Sequence, residues 1–222
     1  ILMKIAICLS GQLRSSWRKC IPTIKDIFKE HEVHYFGHTW KTRSAPNFVK
    51  VTKGINDIEE VTNNEVQELR RELPGIDLVV QKDIEFEAGL DQALHDVNYQ
   101  SQFYGVKTAA HLKKRYEIEN NSNFDLVVRL RWDTMFDEDW QVPEPKKDTL
   151  QVIHLGFEQG NHRSRCGDLY WQGPTDVYDV ACDFYSHFHR HPKEFFQMPE
   201  MLHYGPEHVF MYYLKECNLN LE

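Results

Sequence analysis

The chain has 222 residues, 41% hydrophobic and 27% charged, the length of one α/β domain and the balance of a folded protein, which excludes a disordered chain. A formal net charge of -8 excludes general affinity for nucleic acid or anionic membrane, because phosphate backbones are bound by clustered Lys and Arg; a phosphate ligand must be met locally. The five cysteines, Cys8, Cys20, Cys166, Cys182 and Cys217, are odd in number and form no Cys-x-x-Cys pair, which argues against a disulfide framework or zinc knuckle and for a reducing, cytoplasmic location.

The apolar opening through Leu9 is interrupted by Lys4, is too short to cross a bilayer, and lacks the flanks of a signal peptide. It reads as a buried strand over 4–9, closed by Ser10-Gly11 and followed by a helix over about 16–29. A second strand over 33–36 ends in Gly37-His38-Thr39-Trp40, and a polar loop leads to a helix over about 64–72 that Pro74-Gly75 terminates. The third apolar run, 76–80, completes a β-α-β-α-β series, which predicts a mostly parallel sheet flanked by helices.

A long helix is expected over about 97–119, with Tyr104, Ala109, Leu112 and Tyr116 at core-like spacings. The turn Asn120-Asn121-Ser122-Asn123 closes it, and 124–131 is the clearest strand, expected at the centre of the sheet. A Pro-rich connector over 142–147 leads to a strand over 150–155, a glycine-bearing loop and two C-terminal helices. The composition shift near Pro143 divides the chain into halves of about 1–140 and 141–222, read together as a single domain.

Alternation over 124–133 sets Phe124, Leu126, Val128 and Leu130 on one face and Asp125, Val127, Arg129, Arg131 and Asp133 on the other. A polar row at the carboxyl end of a buried strand is where open α/β sheets place their ligands. The two guanidinium groups suit a diphosphate, and Asp133 suits a divalent cation bridging the same oxygens. The structural alternative is that the arginines pair with Asp125 or a neighbouring acid. At the first strand, a Ser10-Gly11 turn lets backbone N–H groups approach a phosphate and Arg14 adds a charge-assisted partner, although no Gly-x-Gly-x-x-Gly fingerprint is present; a plain turn is the competing reading.

The run Phe124-Asp125-Leu126-Val127-Val128-Arg129-Leu130-Arg131-Trp132-Asp133 resembles the strand that ends in the Asp-x-Asp element of GT-A glycosyltransferases, with Arg131 in place of the first Asp. A similar Arg-x-Arg-x-Asp arrangement occurs in bacterial and viral glycosyltransferases associated with surface polysaccharide synthesis. The resemblance extends to 5–14, with its Cys8-Leu9-Ser10-Gly11-Gln12-Leu13-Arg14 turn, to 100–116, and more loosely to 167–173 and 206–214. It implies a GT-A-like, Rossmann-like α/β fold in a single domain, with a nucleotide-binding half at about 1–140 and an acceptor-side half at about 141–222. It further implies transfer of a sugar from a nucleotide-diphosphate donor to a hydroxyl acceptor, a glycan. Ser10, Gly11 and Arg14 would then contact the nucleotide, and Mn or Mg on Asp133 would be the cation, as a hard ion held by carboxylate and phosphate oxygens.

His38 and Trp40 end the second strand on the same edge, where Trp40 can stack on a base or sugar and His38 can bond a hydroxyl. In Cys166-Gly167-Asp168-Leu169-Tyr170-Trp171-Gln172-Gly173 an acid lies between glycines and beside two aromatics, the composition of an acceptor-sugar site. Asp168 is the leading candidate for general base, against the alternative of a turn cap. Glu207, after Gly205-Pro206, is a second candidate base, against ordinary compensation of a helix dipole. His187, His189 and His191 would share a side as metal ligands in an extended segment and splay apart on a helix, and His154, His162 and His203 are isolated candidates to complete a cation site beside Asp133. Two further readings of the same edge are a non-catalytic nucleotide- or carbohydrate-binding module and a nucleotidyltransferase.

Overall fold

In the computed structural model, every residue from Ile5 to Ser10 of β1 (Lys4–Ser10) is buried, as a continuous apolar run in a strand covered on both faces demands. The structure describes residues 2–43, 59–82, 84, 93–137, 139–152, 170–190 and 206–221, the backbone alone being described at 93–99, 188–190, 206–209 and 212. Helix α1 (Trp17–Phe28) comes next, burying Trp17, Cys20, Ile21, Ile24 and Phe28 at the three- and four-residue spacing of one helical face. Strand β2 (Glu32–Trp40) runs four residues further than the apolar pattern predicts, carrying His38, Thr39 and Trp40 into the sheet.

Helix α2 (Asn63–Glu72) opens on a capping box in which Thr62 Oγ1 accepts from the Glu65 N–H and Glu65 reaches back to the Thr62 N–H, satisfying two donors that a helix start otherwise leaves bare. Beyond it, Gly75 takes φ 80°, which its lack of a Cβ permits, and β3 (Asp77–Gln81) begins. Helix α3 (Ala93–Asn120) crosses the sheet and returns the chain to β4 (Leu126–Arg131).

The remaining elements are β5 (Thr149–Val152), β6 (Tyr170–Gly173), α4 (Thr175–Cys182), α5 (Phe184–Arg190), α6 (Pro206–Glu216) and β7 (Asn220–Leu221). The strands make one seven-stranded sheet in the order β3-β2-β1-β4-β6-β5-β7. Strand β6 runs antiparallel to both β4 and β5, and the other strand pairs are parallel, so the mostly parallel α/β sheet flanked by helices is what the chain forms. The order turns back between β1 and β4, the switch point at whose carboxyl edge a crevice opens in doubly wound sheets.

One face of the sheet, with Ile5, Ile7, Leu9, Leu126, Val128 and Leu130, packs on α1 and on Leu69 of α2. The other, with Ala6, Cys8, Phe36 and Val127, packs on Val106, Ala109 and Ala110 of α3, Tyr178 and Ala181 of α4, and Phe210 and Leu214 of α6. Burying each such aliphatic or aromatic side chain contributes about 1.5–3 kcal/mol before chain entropy is counted.

Several positions depart from the pattern of the sequence. Phe124 lies in the cluster of Val127, not in that of Leu126, because the strand starts two residues later and alternation does not reach back to it. Residues 170–173, expected in a loop, are a strand with all four side chains buried. The carboxylate of Asp125 accepts from the Lys4 N–H at 2.7 Å, so it ties β1 to the entry of β4 and is no partner for the arginines. His187 and His189 lie on a helix, the arrangement that splays them, while His191 lies outside the described residues. No described helix is long and apolar enough to cross a membrane.

Candidate functional site

The carboxyl edge of the sheet is ordered by strand register. Ser10 is the partner of Arg131, and Leu9 that of Gly37, so His38, Ser10 and Arg131 stand level across β2, β1 and β4. By alternation all three belong to the α3 side, the side of Ala6, Cys8, Phe36 and Val127. Arg129 lies one row inside, level with Cys8 on one flank and Trp171 on the other.

The turn that leaves β1 is pinned at both ends. Gly11 adopts φ 111°, a conformation an L side chain rarely takes, which turns the chain out of the sheet. Leu13 is buried, and its N–H donates to Thr39 Oγ1 of β2 at 3.0 Å, so Arg14 is launched from a fixed backbone while its side chain stays 56% exposed. The exit of β4 is fixed likewise. The Arg131 N–H donates to Thr134 Oγ1 and the Thr134 N–H to the Arg131 carbonyl, both at 3.1 Å, while the buried Trp132 indole N–H donates to the His38 carbonyl at 2.9 Å.

These two turns bring Arg14, Arg131 and Asp133 together. Arg131 grips Asp133 in a fork, Nε to Oδ1 at 2.9 Å and Nη2 to Oδ2 at 2.9 Å, and Arg14 Nη1 donates to the same Oδ2 at 3.1 Å. Burial opposes ionisation of Asp133, but the hydrogen bonds of Arg131 and the charges of Arg131 and Arg14 outweigh it and hold the carboxyl below its ordinary value. Two guanidinium groups here share one carboxylate, and Arg14 carries positive charge to solvent on a chain that is acidic overall.

Arg129 is 1% exposed, its guanidinium lying 5.1 Å from the centre of the Trp171 ring. It is a buried group beneath the edge, in cation–π contact. Tyr170 and Trp171, expected as acceptor-site aromatics, are core residues: Trp171 stacks on Phe210 at 4.5 Å and on Phe103 at 6.1 Å. Trp40 is buried too, stacked at 5.7 Å on Tyr104 and edge-on to His38 at 4.9 Å, so its ring packs against protein where a ligand-stacking face was expected.

His38 lies beneath α3 at Gly105, where an added Cβ would stand 2.8 Å from Nδ1; only a glycine lets the helix approach this closely. Neither ring nitrogen of His38, nor the buried Ser10 Oγ, has a hydrogen-bond partner among the described residues. Burial pushes the imidazole down to about 4, so it is neutral at ordinary pH. The hollow lined by Lys114, Glu117, Ile118, Asn121, Ser122 and Asn123 lies at the opposite, amino edge.

Asp168, Cys166, His154, His162 and His203 lie outside the described residues. Glu207 falls in the first turn of α6 and is described by its backbone alone. Among the described residues, no group of three or more His, Cys, Asp or Glu side chains is placed to hold a metal ion. Among the described residues Asp133 is a single carboxylate that accepts three guanidinium N–H bonds, a donor set that suits an anion on its arginines more than a cation. The feature that the sequence does not signal is the reach of Arg14 across 119 positions to Asp133, for which no local pattern exists.

No protein-family model and no curated protein matches the chain. Among solved structures it is similar to the apo form of the glycosyltransferase GlyE of Streptococcus pneumoniae TIGR4, with 12% identity and a TM-score of 0.38, over 100% of this chain and 45% of that one. The chain thus spans less than half the length of that protein, and so distant a likeness decides neither fold nor activity.

Proposed function

We propose that the chain is a glycosyltransferase that moves a sugar from a nucleotide-diphosphate donor to a hydroxyl of a glycan acceptor. The observation that carries this reading is the Arg14–Asp133–Arg131 cluster at the switch point between β1 and β4, beside the Ser10-Gly11 turn. It sets exposed positive charge and a backbone turn where doubly wound sheets receive phosphates, and the resemblance of 124–133 to the GT-A motif strand agrees with it.

In this reading the acceptor oxygen forms a bond to the anomeric carbon as the bond from that carbon to the diphosphate breaks. Negative charge grows on the leaving diphosphate, and Arg14 and Arg131 stabilise it by position and charge. Ser10 and Gly11 line the approach of the phosphates, and Arg129, one row inside, adds positive potential from below. Asp168 is the proposed base for the acceptor proton if the transfer inverts, and Glu207 the second candidate.

The reading is tested by a thermal-shift panel of UDP, GDP and CDP and their sugars, each with and without Mn, followed by product analysis with the nucleotide that stabilises. Saturating donor should raise the melting temperature, by linkage of binding to folding, and turnover should release a nucleoside diphosphate. Stabilisation without turnover on any glycan acceptor would identify a binding module, and release of a nucleoside monophosphate with pyrophosphate a nucleotidyltransferase. No stabilisation by any of these compounds would end the reading.

A further inference from the structure

A diphosphate bridged by a cation and a diphosphate held by arginines make opposite demands on Asp133. To bind Mn or Mg, a carboxylate must present an oxygen with open lone pairs, in company with several other oxygen ligands. Three of the about four lone-pair sites of Asp133 instead accept from guanidinium groups, Oδ1 from Arg131 Nε at 2.9 Å, Oδ2 from Arg131 Nη2 at 2.9 Å and from Arg14 Nη1 at 3.1 Å. A divalent ion placed on that carboxylate would meet two positive charges already there, and like charges at such range repel.

The same geometry suits the other role well. The planar fork of Arg131 on a carboxylate is a bidentate pairing that fixes the orientation of the guanidinium. Arg14 commits one of its five N–H donors to Asp133 and keeps its side chain 56% exposed at the carboxyl edge of the sheet. Asp133 is 17% exposed and Arg131 25%, so Arg14 is the member of the cluster most open to solvent.

We propose that Asp133 is the anchor of a two-arginine clamp and not a cation ligand, and that Arg14 and Arg131 hold the donor diphosphate without a divalent ion. The clamp rests on the proposed donor site and deepens it. Arg131, standing where the GT-A motif strand has its first Asp, supplies as a fixed positive charge what a bound ion would otherwise supply. Asp133 is then a positioning residue that acts through the arginines.

Isothermal titration of the whole chain with UDP, GDP and CDP, in EDTA and again in Mn, tests the clamp. The expected result is one nucleotide bound with affinities in the two buffers that agree within about threefold, and Arg14→Ala and Arg131→Ala each weakening binding in EDTA by about tenfold or more. Asp133→Asn keeps one oxygen for the guanidinium groups and should retain binding in both buffers, whereas loss of a metal ligand would appear as weakened binding in Mn alone. Melting curves of each variant separate loss of the site from loss of the fold.

Binding that requires Mn would overturn the clamp and leave the donor reading standing. Binding in EDTA that both arginine variants leave unchanged would overturn it as well. Failure of every nucleotide to bind in either buffer would remove the donor reading and the clamp with it.

Discussion

Two charged clusters flank the same sheet and are built to opposite ends. Between α3 and α4, Lys113 is 0% exposed and its Nζ donates to Thr175 Oγ1 at 2.6 Å and to Asp179 Oδ1 at 2.5 Å, with Glu117 Oε2 at 3.2 Å. Thr175 Oγ1 in turn donates to Glu117 Oε1 at 2.7 Å, and the half-exposed Lys114 Nζ approaches Asp179 Oδ2 at 3.1 Å and Glu117 Oε2 at 3.5 Å, so the cluster is closed in charge, two ammonium groups meeting two carboxylates. At the carboxyl edge, two guanidinium groups share the one carboxylate of Asp133, and Arg14 faces solvent. A cluster closed in charge directs its interactions into the fold, while one in which two cations share a carboxylate brings a cation to solvent.

The largest expected effect breaks the closed cluster. Lys113→Met removes the buried ammonium from Glu117 and Asp179 and leaves them, of ammonium partners, only the half-exposed Lys114 Nζ, 3.5 Å from Glu117 Oε2 and 3.1 Å from Asp179 Oδ2, and should cost about 3 kcal/mol in urea unfolding. Nucleotide affinity per folded molecule should be unchanged, because this interface is remote from the carboxyl edge. A loss under about 1 kcal/mol would place Lys113 with ordinary surface ion pairs and erase the distinction.

The next effect reads the row between the clusters by pH. Burial lowers the folded imidazole of His38 from 6.5 to about 4, so below pH 6.5 the unfolded chain takes up a proton that the folded chain refuses. The stability held by the neutral ring is complete above the unfolded value and is lost as pH falls from 6.5 toward 4. At pH 5 the loss should be about 2 kcal/mol. Urea midpoints measured across this range should show the slope in the parent chain and a flatter one in His38→Gln; equal slopes would mean that His38 protonates in place.

The smallest effect belongs to the open cluster. Arg14→Ala should change stability by less than about 0.5 kcal/mol, as expected for an exposed pair. A melting-temperature loss as large as that of Lys113→Met would show that both clusters serve the fold.

Much of the fold is legible in local pattern. The apolar runs at 4–9 and 76–80, the helix at 64–72, and the long helix ending at the Asn-rich turn all lie within a few residues of their expected places. Each is set by neighbours in the chain. Strand β6 was not legible, because four residues beside glycines show too little alternation; its pairing with Val127 to Leu130 is a contact across some forty residues. The same distance effect turned Trp171 and Tyr170 from expected ligand aromatics into core, and buried Trp40 against Tyr104.

Within the candidate site, the sequence by itself determined that Ser10, Gly11, Arg131 and Asp133 would cluster at strand ends on one edge, since β-α-β order and side-chain alternation follow from backbone geometry and apolar spacing. Only the tertiary structure decided that Arg14 and Arg131 would share one carboxylate, that Arg129 would lie buried on Trp171, and that His38 would meet Gly105. Those outcomes depend on which strands become neighbours and how far each side chain reaches once they do, and neither is encoded at any single position.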